Sequence, residues 1–145
     1  MSACSKESND PEEKIRQVIT AIELAAEQKS ATTVIEYLAN DYNDKHHQKR
    51  QQVIRSLLGY FYRKKNIFLF SRISNIKLDP NDETKAEASV IMAMTATQVD
   101  SAEKLLTLKA DIYRFDIKLS SIDGSWLITT ASWKKDSASS FLESF

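Results

Sequence analysis

Glycine and proline are scarce: two of each occur in 145 residues. So few breaks predict long regular elements and few loops. Cysteine occurs once, at Cys4, which excludes an internal disulfide framework and any cysteine-based metal site. No apolar run approaches the ~18 residues that a membrane-spanning helix needs. Net charge is zero, so no global field drives the chain toward nucleic acid or acidic lipid. Glycine stands only at positions 59 and 124, too sparse for a phosphate-cradling loop. No serine sits in a nucleophile-elbow motif. The only histidines, His46 and His47, are adjacent and point about 100° apart on a helix, so they cannot share a metal. A zinc site would need Asp41 or Asp44 as well. Neither a metal nor a cofactor is expected.

What is present is the composition of an ordinary globular domain, 42% hydrophobic and 28% charged. Asp10-Pro11-Glu12-Glu13 is a helix start: Asp10 caps, and Pro11 suits the first helical position. Ile15, Val18, Ile19, Ile22, Ala25 and Ala26 then recur at helical spacing, and the helix fades near Gln28 to Ser30. Ser30 to Thr33 offers a second cap, for a short helix carrying Val34, Ile35 and Leu38. Asn40 to Asp44 breaks it, because Asn and Asp bond to their own backbone. A third helix is predicted from about Lys45 to Lys65, with Val53, Ile54, Leu57, Leu58, Tyr60 and Phe61 as its apolar stripe. His46 and Arg50 extend that stripe.

After Asn66 the period changes to two. Strands are predicted at 67–79, 84–99, 104–122 and 126–134, with Asp123-Gly124 as a hairpin turn. Consecutive strands joined by short turns imply an antiparallel meander. Strands this long must coil, and helices closing a coiled sheet leave a hollow on its concave side. Its mouth is expected near the link between the second and third helices. Residues 1–9 read as a flexible tether, 10–135 as one α+β domain, and 136–145 as a serine-rich tail that can dock through Phe141, Leu142 and Phe145.

This order of elements resembles the nuclear transport factor 2-like superfamily, the cone fold of ketosteroid isomerase and polyketide cyclases. The stretches that carry the likeness are EEKIRQVITAIELAAEQKSATTVIEYLANDY, QVIRSLLGYFYRKK and DIYRFDIKLSSIDGSWLITTASWKK. The resemblance implies three N-terminal helices packed on a strongly curved four-stranded antiparallel sheet. It also implies a homodimer through the convex sheet face, which exposed Trp133, Ile128 or Phe115 would favour. The superfamily holds isomerases, dehydratases, carriers and plain binding modules, so function must be argued from the site.

Several residues could carry chemistry. Asp41, Tyr42, His46 and Arg50 lie between the second and third helices, where they could meet an anionic or carbonyl-bearing ligand. His46 could act as a general base. On the third strand Lys109, Asp111 and Tyr113 share one face, and Arg114, Asp116 and Lys118 the other. His46, Asp41 and Asp111 are the catalytic candidates. Tyr42, Arg50, Tyr60, Tyr113 and Trp126 are the candidates for lining a ligand pocket, with Met92 and Met94 as soft, adaptable neighbours. No position matches the acid–base motif of the superfamily's isomerases, which favours a non-catalytic ligand- or protein-binding domain. An isomerase, dehydratase or cyclase-type enzyme is the alternative.

Charge is unevenly spread. Residues 45–65 hold seven basic and no acidic groups, whereas residues 1–44 hold four basic and nine acidic. This basic helix could meet anionic lipid or polymer, a third reading. The chain's overall neutrality argues against nucleic acid. Met1-Ser2-Ala3-Cys4-Ser5 resembles the end of a bacterial lipoprotein signal, in which Cys4 would be lipidated and the domain held by that anchor at the periplasm-facing cell envelope. A cytoplasmic protein is the other reading.

Overall fold

The computed structural model describes residues 10–46, 49–97, 104 and 110–143. Cys4, His47 and Lys109, each considered above, lie outside the described residues.

Helix α1 spans Pro11–Glu27. The Asp10 carboxylate accepts the Glu12 N–H at 3.1 Å, and Pro11 occupies a first-turn position whose N–H would otherwise be unsatisfied. The helix closes with Lys29 in the left-handed region (φ 59°), while the Ser30 N–H reaches back to the Ala25 carbonyl at 2.9 Å. Ser30 at once caps α2, Ala31–Ile35, by accepting the Thr33 N–H at 3.4 Å.

Helix α3 spans Arg50–Arg63, starting later than the periodicity suggests. The Asp44 carboxylate takes the His46 N–H at 2.9 Å, which holds residues 44–46 in a turn. Asn43 forms an antiparallel bridge to Lys49. Gln52 then accepts the Lys49 N–H at 2.7 Å and sets the first helical turn.

The sheet holds β1 (Phe68–Asp79), β2 (Asp82–Thr95), β3 (Asp111–Ile122) and β4 (Ser125–Lys135), all antiparallel in sequential order. Asp123 (φ 52°) and Gly124 (φ 85°) make the two-residue turn between β3 and β4, both in the left-handed region such a turn demands. Pairing shifts between Ile73 and Asn75 in β1, and between Lys118 and Leu119 opposite β4. These bulges lie in the two outer strands and bend the sheet. The outer edge of β4 is covered by residues 37–43: Ile128 donates to Tyr37 O and Ala39 donates to Ile128 O, both at 2.8 Å, and Asn43 donates to Thr129 O at 3.2 Å.

The inner face of the sheet carries Ala86, Ala88, Val90, Ile117, Leu119, Trp126 and Ile128, which form one core with Ile15, Ile19, Ile35, Leu38 and Tyr42. The bulge at Thr129 shifts the phase of β4, so that Trp133 points to the same side as Trp126 and Ile128. Ile128 is buried, and Phe115 and Trp133 are half-buried on this inner side. They therefore do not supply the convex face with the apolar surface that would favour pairing through it.

The apolar part of the outer face is covered by the chain itself. Helix α4, Ala138–Glu143, seats Phe141 (0% exposed) against Ile91, Ala93 and Ile112, with the Phe70 ring 5.7 Å away. The Asp136 N–H donates to Ile112 O at 2.8 Å, and Ser137 Oγ caps α4 by accepting the Ser140 N–H at 3.1 Å. Arg114 Nε donates to the Asp136 carboxylate at 3.3 Å.

Leu119 stands 1% exposed in the middle of the main core. Leu119→Ala is expected to cost about 2–5 kcal/mol of unfolding free energy. Urea denaturation followed by circular dichroism measures it; an unchanged midpoint would contradict the placement of the core.

Candidate functional site

Helix α3 closes the inner face incompletely. Of its fourteen residues only Phe61 is fully buried. Val53, Ile54, Leu57 and Tyr60 are half-buried on its sheet side, where they pack against the two inner clusters. Opposite them, Met92, Met94, Tyr113, Phe115 and Trp133 are half-buried as well. Register makes these one surface: Met92 pairs with Tyr113, Val90 with Phe115, and Phe115 with Trp133. The rings form a row, with centroids 6.3 Å apart for Tyr113 and Phe115 and 6.4 Å for Phe115 and Trp133. These two half-buried surfaces are the candidate walls of an apolar cleft, with an aromatic floor and a helical roof.

Both ends of this cleft carry polar groups. At one end the Tyr60 hydroxyl donates to Met94 Sδ at 3.4 Å, and Lys64 Nζ lies 4.0 Å from Asp111 Oδ2 and 5.6 Å from the Tyr60 ring centre. Burial, reinforced by the charge of Asp111, pushes the Tyr60 hydroxyl above its ordinary value, so it stays a neutral donor. The Lys64–Asp111 pair is nearly half exposed on both sides and contributes little to stability. At the other end the His46 ring tilts against Trp133, with centroids 5.2 Å apart.

The remaining sequence candidates go elsewhere. The Tyr42 hydroxyl donates to Asp44 Oδ2 at 3.0 Å, and both residues are buried. Burial and this carboxylate raise the Tyr42 pKa. Arg50 Nε donates to the Leu38 carbonyl at 3.2 Å, which ties α3 to the end of α2. Trp126 is 5% exposed and belongs to the core. Asp41 is exposed in the turn before Tyr42. Of the candidates, His46, Tyr60, Asp111 and Tyr113 thus reach the cleft. His46 and Asp111 stand at opposite ends, separated by the three rings of Trp133, Phe115 and Tyr113. No three His, Cys, Asp or Glu side chains come together as a metal cluster among the described residues.

Sequence reasoning missed Glu23. It accepts a hydrogen bond from Ser71 Oγ, while Glu27 one turn later accepts the Leu69 N–H at 2.9 Å. The pair joins α1 to β1, an edge strand. Burial pushes the Glu23 carboxyl above its ordinary value; the Ser71 bond opposes this and the neighbouring Glu27 adds to it. Glu23 is four residues beyond Ile19 and eight beyond Ile15, on the buried stripe of α1. That spacing was the available signal.

A depression of about 270 Å3 lies across the outer face. It is lined by Lys45, Lys77, Glu87, Ser89, Asp116 and Lys118 among others. Ser89 Oγ donates to Asp116 Oδ1 at 2.6 Å, and Glu87 pairs across the strands with both Lys77 and Lys118. Its charges answer one another and its side chains are largely exposed, unlike the apolar, half-buried cleft.

The backbone is similar to many solved structures. A ketosteroid isomerase-like protein from Erwinia carotovora atroseptica superposes with a TM-score of 0.67 at 16% identity, over 90% of this chain and 99% of that one. A nuclear transport factor 2-like protein of unknown function from Shewanella oneidensis gives 0.64 at 12% identity, over 86% and 98%. The chain has the nuclear transport factor 2-like fold. A cystatin-like protein of unknown function from Nostoc punctiforme gives 0.66 at 9% identity, over 89% of this chain and 93% of that one. No protein-family model matches the sequence, and no curated protein matches it. Likeness at such identities shows the nuclear transport factor 2-like fold and leaves the chemistry to the residues.

Because the folded-state pKa of Glu23 is raised, its ionisation opposes folding. The resulting loss of stability begins as pH rises past the unfolded value of 4.5 and is complete above the folded value. Glu23→Gln, which keeps an acceptor for Ser71, is expected to gain stability relative to the parent across that window. Melting temperatures of both proteins, measured from acid to neutral pH, test this. Parallel curves would contradict it.

Proposed function

We propose that this domain binds a small, flat, predominantly apolar ligand between α3 and the inner sheet face, without chemically altering it. The observation that carries the reading is the set of half-buried apolar side chains on both sides of the cleft: Val53, Leu57 and Tyr60 above, Met92, Tyr113, Phe115 and Trp133 below. Aromatic floors and methionines suit a ligand held by stacking and dispersion. The Tyr60 hydroxyl and His46 are polar groups at the two ends that can orient it.

The case for binding over catalysis rests on separation. Concerted acid–base work on one ligand needs an acid and a base that each reach the atoms exchanging protons. Asp111 faces Lys64, His46 faces Trp133, and the aromatic row lies between them. The isomerase-like neighbour supplies a precedent for chemistry in this fold but not residues for it.

The two tryptophans make the test direct. Trp133 borders the cleft and Trp126 is sealed in the core. Titration with the apolar fluorophore 1-anilinonaphthalene-8-sulfonate should show saturable binding and quench Trp133 emission. Trp133→Leu and Phe115→Ala should each weaken binding about tenfold, since each removes a large buried contact area. Binding that persists unchanged in both variants would refute the cleft as the site.

A further inference from the structure

The opposite side of α3 is a second surface. Taking 100° per residue, Gln51, Arg55, Leu58 and Tyr62 fall on one line along the helix, facing away from the cleft. Leu58 is 54% exposed and Tyr62 is 82% exposed. Arg55 stands on this line, Arg63 lies about 110° round the helix from it and Lys65 follows the helix end; none of the three meets a carboxylate within 4.0 Å among the described residues. Lys29 joins them, its ammonium donating to the Lys65 carbonyl at 3.0 Å. The segment 45–65 contains no acidic residue to balance these charges.

We infer that this outward face of α3 docks on an anionic lipid surface, with Leu58 and Tyr62 entering the headgroup region and the surrounding cations meeting lipid phosphates. The geometry fits because one side of α3 is exposed along its length: fourteen residues make about 20 Å of helix. Tyrosine, with an apolar ring and a polar tip, suits the membrane–water boundary. The arginines and lysines have long stems that let charged heads reach phosphates while Leu58 is buried. A second copy of this face is an unsuitable partner, since cations would oppose cations. Nucleic acid would use the charges and stack on Tyr62, but it gives the exposed Leu58 no role.

The inference differs from the cleft reading in residues and in side of the helix, so the two can be tested apart. The full chain is sedimented with vesicles of phosphatidylcholine alone, and with vesicles about one third phosphatidylglycerol. Binding is expected only to the anionic vesicles, and should collapse near 1 M salt, where the Debye length is about 3 Å. Arg55→Glu and Arg63→Glu should each weaken it about fivefold or more. Leu58→Ser combined with Tyr62→Ser should weaken it about tenfold at low salt. Fluorophore binding in the cleft should be unchanged in all these variants, which reports an intact fold. Equal binding to neutral vesicles, no binding to anionic ones, or indifference to Leu58 and Tyr62 overturns the inference. Tighter binding to a single-stranded RNA oligonucleotide, lost in the same variants, overturns it in favour of nucleic acid.

Discussion

The molecule depends on covering one apolar face of a bent sheet. Val90, Ile117, Leu119 and Ile128 would stand in water if nothing packed over them, at a cost of roughly 1.5–3 kcal/mol for each large side chain. Ile15 and Ile19 of α1, with Ile35 and Leu38 around α2, provide that cover. The bend sets how much of it α1 and α2 can supply. Bulges at the Ile73–Asn75 step and at Thr129 curve the sheet away from a flat layer. Helix α3 lies over the remainder, with Val53, Ile54, Leu57 and Tyr60 packed against the core yet only half-buried. The half-burial of Tyr60, Met94, Tyr113 and Trp133 accompanies that curvature.

Polar anchors settle where each helix lies. Asp44 is buried, and its oxygens receive the Tyr42 hydroxyl and the His46 N–H. This arrangement delays the start of α3 and turns the His46 ring onto Trp133. Arg50 ties the first turn of α3 to Leu38 O, and Lys64 meets Asp111 at the far end. Glu23 and Glu27 hold the edge strand β1 to α1. The carboxylates in these positions are structural ties, which leaves few acidic groups to act on a ligand. Meanwhile α3 acquires two unlike faces: one apolar and turned inward, the other basic and turned to solvent.

Much of the architecture was legible in residues. Asp10-Pro11 announced α1, Asp123-Gly124 announced the last hairpin, and alternation announced β2, whose inner face holds Ala86, Ala88 and Val90. Simple alternation failed in β4, because a single bulged residue at Thr129 exchanges the two faces beyond it. The tail was readable only as apolar and able to dock; that Phe141 fills a space beside Ile91 and Ile112 depends on two strands distant in sequence. Glu23 was not singled out, because its partner Ser71 stands on the edge strand, far away in the chain.

The site divides in the same way. Tyr60, Tyr113, His46 and Asp111 were identifiable as chemistry-bearing side chains. Whether they converged was not, because convergence depends on curvature and register that no local pattern encodes. Sequence alone determined the kinds of element, their order and the concentration of positive charge between residues 45 and 65. Tertiary structure decided that His46 and Asp111 stand apart, that Tyr42 and Trp126 belong to the core, and that Leu58 and Tyr62 face outward. The physical reason is range: helix and strand periodicities act over a few residues, whereas these placements follow from contacts between segments tens of residues apart.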